Sequence, residues 1–370
     1  MKIKYLTLLL VVIFPLFNQL CFGQLNPKEK TAIDDFGKQL ATDLIKDNLH
    51  GSISVAVVKG SSVIWSGAFG YARMKENVAA DTNTIYRIGS ITKTFTAALL
   101  MQLVQEGRVK LDDPIEKYLP EIKNLIGYDS TIKITFRQLA SHTSGLSREP
   151  NMKGADAGPL NEWEQKTLTS INKTSFIDIP GARFSYSNIG FAILGVALSR
   201  VASVPYIQMV QDRIFNPLHM ADSFFALPEN KLSHLAEGIS NDEHSVNTSK
   251  PLQELKGRGY KVPNGGIYST PNDLARFAIA FTSNSKLLNS ESLKQMQIIP
   301  PGGERYGLGL GVYNYEGIDL IGHDGSVPGY TSTMFIEKTS GYAVILMRNY
   351  NSGSTDLTGA AQQLLKALSK

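Results

Sequence analysis

Residues 90–104 read Ser90-Ile91-Thr92-Lys93-Thr94-Phe95-Thr96-Ala97-Ala98-Leu99-Leu100-Met101-Gln102-Leu103-Val104, and Gly107 follows shortly after. Apolar residues cover most of the circumference of a helix drawn through this stretch, so it predicts a buried helix that stops at Gly107. Ser90 and Lys93 open that helix three positions apart, on one face, where the amine can lie against the hydroxyl. A first helical turn carries roughly half a unit of positive partial charge, which disfavours an ammonium there and favours negative charge developing at the serine. Burial acts in the same direction, because a desolvated lysine loses its proton more easily. A neutral amine at that distance can serve as a general base, so this serine can become nucleophilic without a histidine.

The Ser-x-x-Lys spacing recurs at Ser130/Lys133, Ser170/Lys173 and Ser283/Lys286, so context decides. Ser130/Lys133 runs into Ile132, Ile134 and Phe136, an alternation that predicts a strand and would send the pair to opposite faces. The other two lie in polar stretches that resemble solvated loops or helix ends. Of the four, Ser90 opens the long apolar helix.

Residues 1–23 have the tripartite form of a secretory signal peptide: Lys2 and Lys4, an apolar run from Tyr5 to Phe17, then Cys21-Phe22-Gly23, with cleavage expected between Gly23 and Gln24. Leu20 before Cys21 fits lipid attachment poorly, so simple removal and a periplasmic or secreted product are expected. Removing Cys21 leaves no cysteine, so an exported chain must be held by its core rather than by disulfides. The formal charge of +4 falls by two with Lys2 and Lys4, and the charges are spread along the chain. That balance excludes an electrostatic nucleic-acid or membrane-surface role. No later apolar run is long enough to span a bilayer, so no stable membrane insertion is expected after signal removal. A monomer acting on a small-molecule or peptide substrate is expected.

Around the central stretch the hydrophobic period changes twice. Asn26-Pro27 with Ile33, Phe36, Leu40 and Leu44 predicts a capped amphipathic helix ending near Gly51. Ile53 to Val57 and Val63 to Tyr71 alternate as strands about a turn at Lys59-Gly60-Ser61. Gly307 to Tyr313, Ile318 to Gly322, Tyr330 to Ile336 and Tyr342 to Met347 restore the period of two. A last helix repeats Leu357, Ala360/Ala361, Leu364, Leu365 and Leu368. This pattern predicts an α/β protein of the α+β type: an antiparallel sheet flanked by N- and C-terminal helices (24–85 and 289–370) and a mostly helical lobe (86–288). A cleft between the lobes is the expected active site.

Two further motifs each occur once. Tyr186-Ser187-Asn188 offers a phenol that can shuttle the serine proton and an amide that can bind a substrate carbonyl and the lysine together. His323-Asp324-Gly325 places a histidine at the end of a strand pattern, beside a glycine that would let a substrate backbone approach the sheet edge. No other histidine stands at ligand spacing, so neither a metal nor a cofactor is expected. His142, in His142-Thr143-Ser144-Gly145, is read as holding a loop by hydrogen bonds. Asp324 would face away from His323, as a buttress.

Nearly the whole chain after residue 23 resembles the serine β-lactamase-related superfamily, which holds class C β-lactamases, D-alanyl-D-alanine carboxypeptidases, D-aminopeptidases and β-lactamase-like esterases. The resemblance is carried by Tyr86 to Lys93, Leu111-Asp112-Asp113-Pro114, Gln138 to Gly145, Phe184 to Asn188, Gly265 to Thr270 and Gly322 to Gly325. It implies a β-lactamase/transpeptidase-like fold in which Ser90 is acylated, Lys93 and Tyr186 move protons, and Asn188 holds the substrate amide. It also implies an oxyanion hole from the backbone N–H groups of Ser90 and Ser326, with His323 and Gly325 lining the substrate. The departure is at the third motif, where efficient β-lactamases of this superfamily usually have Lys-Thr-Gly. A histidine there is mostly uncharged near neutral pH, which suits a D,D-carboxypeptidase-like peptidase or an esterase better than a class C-like β-lactamase. If His323 binds an anionic substrate as a cation, affinity should fall as pH rises from about 5 to 8. A non-catalytic peptidoglycan- or peptide-binding relative is the alternative from another class. The chain lacks the G-x-S-x-G elbow of an α/β-hydrolase.

Overall fold

The computed structural model describes residues 20–21, 25–47, 50–242, 245–247, 257–282 and 287–370. Cleavage after Gly23 and the pair Ser283/Lys286 lie outside the described residues.

Helix α1 (Pro27–Asp47) starts at a reciprocal cap: Glu29 N–H donates to Asn26 Oδ1 and Asn26 N–H to Glu29 Oε2. Strands β1 (Ser52–Lys59) and β2 (Ser62–Arg73) form a hairpin, and β3 (Gly311–Tyr315), β4 (Ile318–Val327), β5 (Tyr330–Glu337) and β6 (Tyr342–Arg348) form a meander. Antiparallel pairing joins them in the order β2-β1-β6-β5-β4-β3, so the two ends of the sequence meet where Val57 faces Val344. Leu20–Cys21 pairs outside β2, against Ser66 and Trp65.

The period-two pattern sorts the side chains to two faces. Ile53, Val55 and Val57 pack with Ile33, Phe36 and Leu40 of α1 and with Leu364 and Leu365 of the C-terminal helix Leu357–Ser369. Ala56, Val58, Ile345 and Met347 point the other way, into the core shared with the helices of the middle segment. Two of those helices are central to the site. Helix α2 (Thr92–Gln105) is buried from Thr92 to Leu103, and α3 (Asn188–Ala202) packs against it. The helix Pro271–Ile279 falls inside the segment assigned to the helical lobe, yet it packs on β1, β2 and β6.

Three local readings change. Ser90 sits in a 3-10 turn, Gly89–Ile91, just ahead of α2 rather than inside it. Ser130 and Lys133 lie in a turn and the irregular chain after it instead of a strand, and Lys133 pairs with Glu116. The motif His323-Asp324-Gly325 lies within β4, which continues to Val327, rather than at its end.

Gly325 is the point where sheet and catalytic turn meet. A Cβ there would stand 2.0 Å from the carbonyl oxygen of Ile88, so the close approach that requires glycine is made by the chain itself, not by a substrate. Ser332 Oγ donates to the same oxygen at 2.9 Å. Gly89, at φ +50°, would place a Cβ 2.8 Å from the amide nitrogen of Ser326. Gly325→Ala is therefore expected to cost about 3 kcal/mol, since neither backbone can give way cheaply. Ser326→Ala, at an exposed position, should stay within about 1 kcal/mol. Thermal melts of the two variants check this; equal midpoints would refute the contact.

Candidate active site

Lys93 is fully buried, and its Nζ lies 3.1 Å from Ser90 Oγ. The same nitrogen donates to the carbonyl oxygen of Asn264 at 2.9 Å. Burial holds this amine well below the ordinary lysine range, and the nearby Arg148 charge adds to the effect. An uncharged amine with one N–H on Asn264 keeps its lone pair for the serine hydroxyl.

Tyr186 supplies the third group. Burial is the larger effect on it and pushes its pKa up to about 12, while the side chain of Ser90 beside it favours the phenolate. Lys93 Nζ stands 4.8 Å from the centre of its ring. The tyrosine is carried on the turn that starts α3, where Ser187 Oγ caps the helix by accepting from Gly190 N–H. His142 fixes that turn from the side. Its Nδ1 accepts the Ser187 N–H at 3.0 Å, its carbonyl accepts Ser185 N–H at 2.7 Å, and its ring stacks 4.0 Å from Tyr186. Burial keeps the imidazole well below its usual pKa, which suits a neutral ring that accepts at Nδ1. The loop-holding role expected for His142 is the one its hydrogen bonds describe.

Asn188, the first residue of α3, differs from expectation. Its Nδ2 donates to Glu149 Oε1 at 2.6 Å, and the anchor of the lysine is Asn264, whose own amide reaches Asn188 O at 3.0 Å. Ser90, Asn188, Asn264, Gly265 and Ser326 line one cleft of about 160 Å³, together with Lys261. Nothing in the spacing of the sequence pointed to Asn264, Arg148 or Lys261. Glu149 holds Asn188 at the edge of this cleft, and Arg258 lines it.

His323 requires a correction. Its Nδ1 lies 2.6 Å from the carbonyl oxygen of Asp324, which can only accept, so the proton sits on Nδ1 and Nε2 accepts from the Tyr306 hydroxyl at 2.9 Å. Burial lowers its pKa to about 3. A pH-dependent cation between pH 5 and 8 is therefore not available at this position. Asp324 does act as a buttress: its Oδ1 accepts from Thr333 on β5 at 2.5 Å and from Thr358 of the C-terminal helix at 2.8 Å.

With the geometry in place, the comparisons identify the lineage. A family model described as Beta-lactamase matches residues 38–369. The chain belongs to the beta-lactamase family. Among curated relatives, "Protein flp" of Staphylococcus aureus (strain N315) is 28% identical over 321 residues, covering 85% of this chain and 62% of that protein. The chain thus spans about three fifths of the length of such relatives. Among solved structures, an octameric penicillin-binding protein homologue from Pyrococcus abyssi superposes with a TM-score of 0.74 at 27% identity, over 91% of this chain and 77% of the other. D-amino acid amidase from Ochrobactrum anthropi SV3, complexed with L-phenylalanine, gives 0.74 at 26% identity, over 90% and 98%. The β-lactamase/transpeptidase-like fold expected from the motifs is the one observed.

Nitrogen chemical shifts of the His323 ring should stay those of a neutral Nδ1–H tautomer from pH 8 down to 5. A midpoint between 6 and 7 would contradict the assignment. A histidine pKa depressed on folding contributes stability above about pH 6.5 that is lost as pH falls toward 3, so His323→Gln should flatten the acid decline in melting temperature.

Proposed function

We propose that this serine hydrolase forms an acyl-enzyme on Ser90 and acts on D-amino-acid peptides or on small amides and esters, outside the cytoplasm. One observation carries the reading: a buried, uncharged Lys93 amine bonds Ser90 Oγ, with the ring of Tyr186 centred 4.8 Å from the same amine. The Ser90 proton passes to this pair as Oγ attacks the substrate carbonyl. Negative charge collects on the carbonyl oxygen, next to the N–H groups of Ser90 and Ser326. Such donors are worth about 3 kcal/mol each in acyl transfer. Collapse expels the amine or alcohol, which takes a proton from the Lys93/Tyr186 pair. A water then repeats the attack and frees Ser90. With a pKa near 12, Tyr186 is a phenol at neutral pH, which favours Lys93 as first acceptor and Tyr186 as the relay to the leaving group.

The D-amino-acid preference is supported by likeness to the Ochrobactrum anthropi amidase. The uncharged His323 weighs against a dedicated β-lactamase. Export is supported by the leader-like residues 1–23. The reading takes a single chain as the working unit; the octamer is stated of the Pyrococcus abyssi protein.

Intact-protein mass spectrometry after exposure to a fluorophosphonate should show one adduct on the wild type and none on Ser90→Ala. Labelling of the alanine variant at the wild-type rate would remove the reading, and an unlabelled wild type would leave a binding protein. Hydrolysis of a D-alanyl-D-alanine peptide or a short aryl ester should exceed that of a cephalosporin; the reverse order would make it a β-lactamase.

Lys93→Met tests the cost of the amine. A lysine depressed by folding costs about 1.4 kcal/mol for each pH unit below its unfolded value near 10.4, accumulating until the pH reaches the folded pKa, so the full cost is present only below that point. The hydrogen bond lost at Asn264 is worth about 1–2 kcal/mol. A depression of more than about two units therefore makes Lys93→Met more stable than the wild type while it abolishes labelling. A lower melting temperature would contradict a strongly depressed amine.

A further inference from the structure

The guanidinium of Arg148 stands 4.8 Å from the centre of the Tyr186 ring, as does Lys93 Nζ. Its backbone is engaged separately, since the carbonyl oxygen accepts the N–H groups of Asn188 at 2.9 Å and Ile189 at 3.3 Å and so holds the start of α3. The side chain is 64% exposed, and its nearest carboxylate, Glu149 Oε1, is 4.0 Å away and already accepts from Asn188. An arginine on the face of a reacting tyrosine, with little packing to do, is an electrostatic device.

We propose that Arg148 is a positioning residue for acyl transfer, a permanent cation on the Tyr186 ring that keeps the Lys93/Tyr186 pair in its proton-accepting state at neutral pH. This rests on the acyl-enzyme reading of Ser90. A guanidinium opposes an added proton on Lys93 and favours loss of the phenol proton, so its effect has one sign whichever group takes the Ser90 proton. No bond to Arg148 forms or breaks. Burial lowers the lysine and raises the tyrosine, and Arg148 lowers both.

The remaining ionisable groups around the pair come from other elements. His142 and His323 are held neutral by burial, and Tyr306 is pushed well above the usual phenol range. Tyr313 on β3 is also raised by burial. Glu149 opposes Arg148 at Tyr186 and Lys93, and Lys261, 3.8 Å from Glu149 Oε2, reinforces Arg148 at Lys93. Of these, Arg148 is the strongest charge effect on both reacting groups.

The test is the rate of fluorophosphonate labelling of Ser90 from pH 5 to 10 in the wild type, Arg148→Gln, Arg148→Lys and Ser90→Ala. For a charge about 5 Å away at a half-exposed site, Arg148→Gln should move the acid limb up by about half to one pH unit. Labelling would then be about threefold to tenfold slower on the acid side and converge on the same plateau. Arg148→Lys, which keeps a cation, should lie near the wild type. About 1 M salt should narrow the gap, because the side chain is exposed. Coincident limbs in Arg148→Gln and wild type, or a loss by one factor at every pH, would overturn the proposal. If Ser90→Ala is silent and the limb does not move, the Arg148 role alone fails; if Ser90→Ala labels, the acyl-enzyme reading fails with it.

Discussion

The burial of one amine governs this structure. Lys93 sits in the first turn of a helix whose neighbours from Thr92 to Leu103 are all buried, and it meets Ser90, Asn264 and the ring of Tyr186. Water cannot solvate an ammonium there, and among the described residues no carboxylate bonds it, so the proton leaves. Folding bears that cost, and what remains is a base at a pH where free lysine is a cation. The apolar helix is thus as much a part of the chemistry as the serine.

Holding a serine against that amine takes support from both halves of the sequence. The sheet approaches through Gly325 and Ser332, which meet the Ile88 carbonyl, and through Ser326, which lies against Gly89. Behind β4, Asp324 ties the sheet to the C-terminal helix through Thr358. From the helical side, His142 and Arg148 pin the turn that presents Tyr186 and Asn188. Apart from the Asp324–Thr358 tie, each support uses backbone atoms, which explains how side chains there can be specialised for charge and stacking.

Much of this was legible in the residues. The alternation at Ile53, Val55 and Val57 and the repeat at Leu364, Leu365 and Leu368 gave the sheet and its covering helices because burial leaves a period. Ser90, Lys93 and Tyr186 could be named because their chemistry is local or their motif unique. What escaped had no period to leave. Asn264 works through a carbonyl oxygen that any residue possesses, and Arg148 acts by standing over a ring contributed from 38 positions later in the chain. From its residue type alone, His323 could serve an anionic substrate as a cation that is lost between about pH 5 and 8. In the fold it is enclosed by Tyr306 and by its own strand, and depth of burial cannot be read from adjacent letters.

The protonation state of Lys93 is accessible directly. With lysine side chains labelled with ¹⁵N, the Nζ resonance of Lys93, assigned through Lys93→Met, reports amine or ammonium across a titration. A free-amine shift for Lys93 at pH 7.5 is the outcome required here. An ammonium shift for Lys93 at pH 7.5 would contradict the account at its base.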